Sequence, residues 1–63
     1  MKLTLYSEDF KDGRKVDWPA VPRVGEFVSF NYRGGTTTLS VDRIEYACDA
    51  ESNVTEIDVH LTY

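Results

Sequence analysis

The chain has little of what small proteins use as covalent or metallic crosslinks. Cys48 is its only cysteine and His60 its only histidine. A single cysteine excludes a disulfide within the chain and a zinc site built from several cysteines. A chain of 63 residues buries only about 60% of its unfolded surface. A well-packed core or association with another chain must therefore supply the stability.

The chain also lacks long apolar runs and a net positive charge. Nothing approaches the roughly 18 apolar residues of a membrane span, and the segment Met1–Asp9 is too acidic and has too short an apolar run for a signal peptide. With the lone Cys48, these features predict a cytoplasmic protein without a membrane partner. The net charge of −4 disfavours binding to nucleic acid, because Lys and Arg supply the affinity for phosphates.

What the sequence does have is alternation of apolar and polar side chains. Helical periodicity is absent, whereas the segments Leu3–Tyr6, Glu26–Tyr32 and Thr55–Tyr63 alternate with a period of two. The pattern predicts one all-β domain over 1–63, in which 1–21 form an N-terminal strand and a polar arm.

Within the arm, Asp12-Gly13 has the composition of a turn. It predicts a hairpin between residues 3–10 and 14–18, although a mobile loop fits the same residues.

A second turn signal, Gly34-Gly35, predicts a hairpin register. If these two glycines form the turn, Phe30 lies opposite Leu39, and the apolar residues of both strands share one face. The same register places Val28 opposite Val41.

The alternation then changes phase, because Leu39 and Val41 have odd numbers while Ile44 has an even one. A β-bulge at Asp42-Arg43 absorbs the extra residue and bends the strand. The alternative is that one strand ends at Val41 and another begins at Ile44.

For the last hairpin we expect a loop over 48–53, with Ile44 opposite Ile57 and Arg43 opposite Asp58; a register shifted by two also fits. The predicted core, with Trp18 as a lid, comprises Leu3, Leu5, Val28, Phe30, Leu39, Val41, Ile44, Ile57, Val59 and Leu61.

The segment Pro22-Arg23-Val24-Gly25-Glu26-Phe27-Val28, followed by a tight hairpin, Val41-Asp42-Arg43-Ile44 and a final alternating strand, resembles the small SH3-like β-barrel proteins of bacteria and phages. Many of these proteins have no assigned function. The resemblance covers 22–63. It implies a small antiparallel SH3-like barrel or strongly bent sheet of four to five strands, and a role in molecular interactions. It transfers no functional residue.

One group of side chains has the composition of a weak divalent-cation site, since carboxylates with one imidazole suit such ions. The favoured interpretation is a solvated acidic face, because charged side chains are mostly exposed. The group consists of Glu45, Glu56, Asp58 and His60.

Three aromatic side chains, Phe27, Trp18 and Tyr6, fall off the predicted inward face. They are candidates for an exposed interaction patch. The alternative is that they pack beneath the arm 7–22.

No catalytic or cofactor-binding motif is present, and we expect so short a chain to have little room for a cleft of several hundred Å³. Cys48 is followed by an acid and is expected to be a partly buried structural residue. The sequence therefore predicts a non-enzymatic protein–protein interaction module without a cofactor, of the kind found as accessory proteins of phages and mobile elements. Its partner is an unknown protein or a second copy bound through an edge strand or the three aromatics. The alternatives are a nucleic-acid-associated SH3-like module and a weak divalent-metal-binding protein.

Overall fold

A computed structural model describes the backbone of residues 1–63 and every side chain except that of Tyr32. Its strands are β1 (Lys2–Ser7), β2 (Phe10–Asp17), β3 (Phe27–Tyr32), β4 (Gly35–Cys48) and β5 (Val54–Thr62). They form one five-stranded sheet in the order β2-β1-β5-β4-β3, curled into a half-barrel. The predicted all-β, strongly bent sheet is confirmed. The sheet is mixed rather than antiparallel, because β1 and β5 run parallel.

The concave face of the sheet holds the core. Leu5 and Val59 lie directly opposite each other on β1 and β5, and both are fully buried. The other buried apolar side chains are Leu3, Leu39, Val41 and Leu61. Around them pack the partly buried Phe10, Val16, Trp18, Val21, Val28, Phe30, Ile44 and Ile57. Every predicted core residue thus contacts or belongs to the core, and the alternation of each strand explains why.

The predicted bulge is confirmed. Val41 pairs with Leu61 while Arg43 pairs with His60, so Asp42 is the extra residue in β4. The strand continues through it to Cys48, which excludes two separate strands. Because the bulge reverses the alternation, Val41 and Ile44 both face the core.

The predicted register of the β3–β4 hairpin is wrong by two residues. Tyr32 pairs with Gly35 and Val28 with Leu39, so the turn is Arg33-Gly34 rather than Gly34-Gly35. A shift of two leaves every side chain on its predicted face.

Polar pairs connect the two strands in the observed register. The hydroxyl groups of Ser29 and Thr38 lie 2.9 Å apart, and the Thr36 hydroxyl donates to Asn31 Oδ1 over 2.9 Å. Such cross-strand pairs contribute to sheet stability, and the predicted register would separate them.

The β4–β5 register also differs by two from the first of the two predicted registers. Ile44 lies opposite Val59 and Glu45 opposite Asp58. It places Arg43 opposite His60 instead of Asp58, and it sets the carboxylates of Glu45 and Asp58 directly opposite each other, which is unfavourable.

The arm forms a hairpin, but its turn is not at Asp12-Gly13. The turn is Glu8-Asp9, because Ser7 pairs with Phe10. The register then shifts between Leu5 and Ser7, so that Gly13 lies in a bulge of β2 with φ of 90°. The glycine signal therefore marked a bulge, another backbone geometry that favours glycine.

Side chains link the two edges of the sheet across its open side. The ring of Phe10 on β2 meets that of Phe30 on β3 edge to face, with centroids 5.9 Å apart. The guanidinium of Arg14 lies 5.4 Å from the Phe10 ring centroid. An edge-to-face pair of this kind adds about 0.5–1.5 kcal/mol beyond its buried area.

The first prediction concerns Gly13. A methyl group built on it would lie 2.8 Å from Thr4 Cγ2, and its φ is one that L side chains rarely adopt. We expect Gly13→Ala to lower the free energy of unfolding by about 1–3 kcal/mol, measured by urea denaturation. Gly34→Ala is the matched control, because no described atom lies within 4 Å of its added methyl group. Equal effects of the two substitutions would contradict the bulge.

Candidate interaction surface

Half of the β4–β5 hairpin extends beyond the body of the sheet. Among the described residues, β1 pairs with β5 only at Asp58, Val59 and His60, so the start of β5 has β4 as its sole partner. We call residues 44–57 the ribbon. The fourteen residues of β4 span about 45 Å at the usual rise per residue, which matches the 45 Å length of the molecule.

The core face of the sheet continues along the ribbon and becomes exposed. Ile44 lies opposite the fully buried Val59, and both belong to or contact the core. The next pair is Tyr46 with Ile57, where Tyr46 is 56% exposed. A second register shift, between Ala47 and Cys48, then brings Val54 of β5 opposite Cys48, and Val54 is 54% exposed. The end of the ribbon thus presents an apolar surface that the body does not cover.

The ribbon is also uniformly acidic. It contains Glu45, Asp49, Glu51 and Glu56 and no Lys, Arg or His. Since four of the eleven carboxylates lie there, the seven that remain balance the seven Lys and Arg residues elsewhere. The net charge of −4 is therefore concentrated in this hairpin.

Asp49 fixes the loop at the tip of the ribbon. Its Oδ1 accepts hydrogen bonds from the backbone N–H groups of Glu51 at 2.9 Å and Asn53 at 3.0 Å. These bonds, with the Asn53 amide as the larger contribution, lower the pKa of the Asp49 carboxyl. The loop is closed by backbone bonds between Asp49 and Asn53 at 2.9 Å and between Ser52 and Asp49 at 3.0 Å.

A groove of about 700 Å³ lies where the ribbon separates from β1 and β2. Leu3, Val16 and Ile57 give it an apolar floor, while its charged lining residues are Lys2, Lys15, Asp17 and Glu56. The expectation that so short a chain leaves little room for a cleft of several hundred Å³ is therefore wrong. No sequence signal marked the groove, because it arises from the divergence of strands that are distant in sequence.

The candidate cation ligands lie on the convex face of the sheet, where Glu45 contacts His60 while Glu56 is hydrogen-bonded to Thr4. The His60 Nε2 lies 3.3 Å from Glu45 Oε1, and the Arg43 Nε lies 3.1 Å from the same oxygen. Glu56 Oε1 instead accepts a hydrogen bond from the Thr4 hydroxyl at 3.0 Å. Within the described part of the chain, no three His, Cys, Asp or Glu side chains form a metal-binding group.

Asp58 carries a buried carboxylate oxygen on this face. Its Oδ1 is buried and, among the described atoms, has no hydrogen-bond partner. Burial raises the pKa of the Asp58 carboxyl, and the neighbouring Glu56 and Glu45 raise it further, while His60 opposes them. Tyr6 stacks on His60 with centroids 5.3 Å apart, and burial together with Glu56 and Asp58 raises the pKa of its phenol.

The three predicted aromatics do not form one patch. Tyr6 stacks on His60 of β5, Trp18 packs against the core, and Phe27 on β3 is 75% exposed. Strands β5 and β4 separate Tyr6 from Phe27. An interaction role for these residues stays a prediction, for which Phe27 has the exposure required.

Cys48 is exposed, so the expectation of a partly buried structural residue is wrong. It lies at the end of β4, far along the ribbon, where the body provides no cover. The described residues include no helix long and apolar enough to cross a bilayer.

Comparison with known proteins finds no match among protein-family models, curated proteins or solved structures. The geometry described above therefore carries the functional argument.

The second prediction concerns Asp58→Asn. Because the pKa of Asp58 is higher in the folded than in the unfolded chain, ionised Asp58 opposes folding at neutral pH. The free energy of unfolding of the wild type therefore rises as the pH falls from above the folded-state pKa to below the unfolded-state pKa. The variant lacks this titration and its amide can donate to Glu56. We expect it to be more stable than wild type at pH 7. Partial exposure of the carboxyl limits the gain in the free energy of unfolding to about 1 kcal/mol.

Thermal unfolding between pH 3 and pH 8 tests this expectation, and the advantage of Asp58→Asn is expected to shrink as the pH falls. Asp12→Asn removes one negative charge from an exposed position on β2 and serves as the control. A destabilised Asp58→Asn at pH 7, or an advantage that grows in acid, would contradict the assignment.

Proposed function

We propose that this chain is a non-enzymatic protein-binding module, and that the ribbon with its adjoining groove binds an extended, basic and partly apolar segment of a partner protein. The observation that carries the proposal is the exposure of Tyr46 and Val54 on the core face of the ribbon, which holds four carboxylates and no basic residue.

The apolar side of the ribbon supplies the first part of the argument. A two-stranded hairpin in water is marginally stable without a third strand or a packing partner. Here Tyr46 and Val54 extend the core face beyond the residues that cover it. Aromatic side chains such as Tyr are enriched at the centres of protein interfaces. A partner's apolar side chains would complete the face that the body leaves open.

The charge of the ribbon selects the partner. Complementary charges speed encounter and exclude partners of the same sign. A basic segment meets attraction from Glu45, Asp49, Glu51 and Glu56, whereas the phosphate backbone of nucleic acid and the ribbon of a second copy meet repulsion. The charge therefore favours a basic protein segment over the nucleic-acid alternative.

The backbone supplies the third part. The residues Val54–Ile57 of β5 precede the β1 pairing, and 55–57 line the groove beside Leu3 and Val16. Addition of an extended segment to a free strand edge is a common mode of peptide recognition, in which main-chain hydrogen bonds give affinity and side-chain pockets give selectivity. The groove provides space for that segment.

The composition of the groove supports a binding role rather than catalysis. Its described lining offers threonine hydroxyls, lysines and carboxylates, and no cysteine, histidine or serine. A cytoplasmic location belongs to the same proposal and is supported by the single exposed thiol of Cys48.

The third prediction uses a fluorescent octapeptide of alternating lysine and valine as the probe. We expect it to bind the wild-type chain at low salt and more weakly as salt is raised, while an octapeptide of alternating glutamate and valine does not bind. Tyr46→Thr and Val54→Thr are each expected to weaken binding about fivefold, equivalent to about 1 kcal/mol of lost apolar burial. Fluorescence anisotropy measures both effects.

Val24→Thr is the matched control for Val54→Thr. Val24 is 63% exposed but lies in the connection before β3, away from the ribbon, so its substitution should leave the affinity unchanged. Equal affinities of the Val54→Thr and Val24→Thr variants would contradict the assigned surface. Tighter binding of a single-stranded oligonucleotide than of the lysine–valine peptide would favour the nucleic-acid alternative.

A further inference from the structure

The two edges of the sheet differ in chemistry. The edge strand β2 holds Lys11, Asp12, Arg14, Lys15 and Asp17 and is interrupted by a bulge. Charges and bulges are the devices by which proteins prevent edge-to-edge pairing. The other edge strand, Phe27–Tyr32, contains neither a charged residue nor a proline, and its register with β4 is unbroken.

The backbone of β3 has free hydrogen-bonding groups on its outer side. The Glu26 carbonyl accepts from Val41 N–H at 2.8 Å and so faces β4. In an antiparallel pair, alternate residues face the neighbour, so the N–H and C=O groups of Phe27, Ser29 and Asn31 face away from β4. Among the described residues, these outward groups have no backbone hydrogen-bond partner.

We propose that two copies of this chain associate through their β3 strands, paired antiparallel about a two-fold axis at Ser29. This register places the outward groups of Phe27, Ser29 and Asn31 opposite those of the second copy, for about six hydrogen bonds between the strands. It joins two five-stranded sheets into one of ten strands. The surface differs from the ribbon, and the inference is independent of the proposed function.

The side chains of β3 favour a second copy of the chain as the partner of this strand edge. Pairing about Ser29 sets Val28 opposite Phe30 of the second copy, which continues the core face of each half-barrel across the junction. It sets no charged side chain opposite another. Phe27, 75% exposed, lies beside Asn31 of the second copy and is partly covered. A strand that is self-complementary in both hydrogen bonding and polarity meets the requirement of an isologous interface.

The charge of the chain gives the association a characteristic salt dependence. Each copy carries a net charge of −4, and the joined strands contribute no ion pair. Salt screens the repulsion between the copies, so association should strengthen as salt is raised. This dependence is opposite to that of peptide binding by the ribbon.

The experiment is sedimentation velocity of the purified chain over a concentration series. We expect the average mass to rise from that of one chain toward that of two, at lower concentrations when salt is raised. Ser29→Lys places two lysines opposite each other at the axis and should raise the dissociation constant at least tenfold. Thr38→Lys is the matched control, since it removes the same 2.9 Å hydroxyl contact and adds the same charge one strand away from the edge.

Phe27→Lys is a second variant for the case that Ser29→Lys does not fold, and it should weaken association in the same direction. Circular dichroism verifies that each variant is folded. A chain that remains monomeric throughout the series would overturn the proposal, as would a dimer that Ser29→Lys and Thr38→Lys weaken equally.

Discussion

The parallel pairing of β1 with β5 is the contact on which the rest of the structure depends. It joins the hairpin β1–β2 to the three-stranded unit β3–β4–β5, and it rests on three residue pairs from Thr4–Asp58 to Tyr6–His60. Its central pair, Leu5 with Val59, is fully buried. A two-stranded hairpin is marginally stable in isolation, so β1 and β2 need this junction to gain a core. Among the described residues, the Phe10–Phe30 contact links the far edges directly.

The short length of this pairing also leaves the ribbon, the groove and the β3 edge exposed. Because β1 leaves β5 before the start of that strand, the ribbon extends without cover and the groove opens beside it. Because the half-barrel does not close, β3 remains an edge. The same limited core that stabilises 63 residues thus leaves one acidic apolar hairpin and one uncharged strand edge exposed. These are the two surfaces that we propose to bind other chains.

The sequence predicts on which face of the sheet each side chain lies, but not which residue of the neighbouring strand lies opposite it. The alternation of Leu39 and Val41 followed by Ile44 identified both the core and the bulge, because only one parity buries apolar side chains. A register shift of two preserves parity, so the pattern could not separate Val28–Leu39 from Val28–Val41. The contacts that separate them, such as Ser29 with Thr38, involve polar side chains without a periodic signal.

The parallel pairing had no local signal at all. Nothing in Leu3–Tyr6 indicates that it lies beside the last strand, since that choice is made by the shape of the whole core. Glu56 shares the convex face with Glu45, Asp58 and His60, but it accepts a hydrogen bond from Thr4, 52 residues away in the chain. The exposed end of the ribbon was missed for the same reason.

Native-state hydrogen exchange tests most directly the central claim that the β1–β5 junction carries the global stability and the ribbon lies outside it. The amides of Leu5 and Val59 are expected to exchange only through global unfolding, whereas those of Val54–Ile57 should exchange through local opening at lower free energy. Ribbon amides that exchange as slowly as those of Leu5 and Val59 would contradict it.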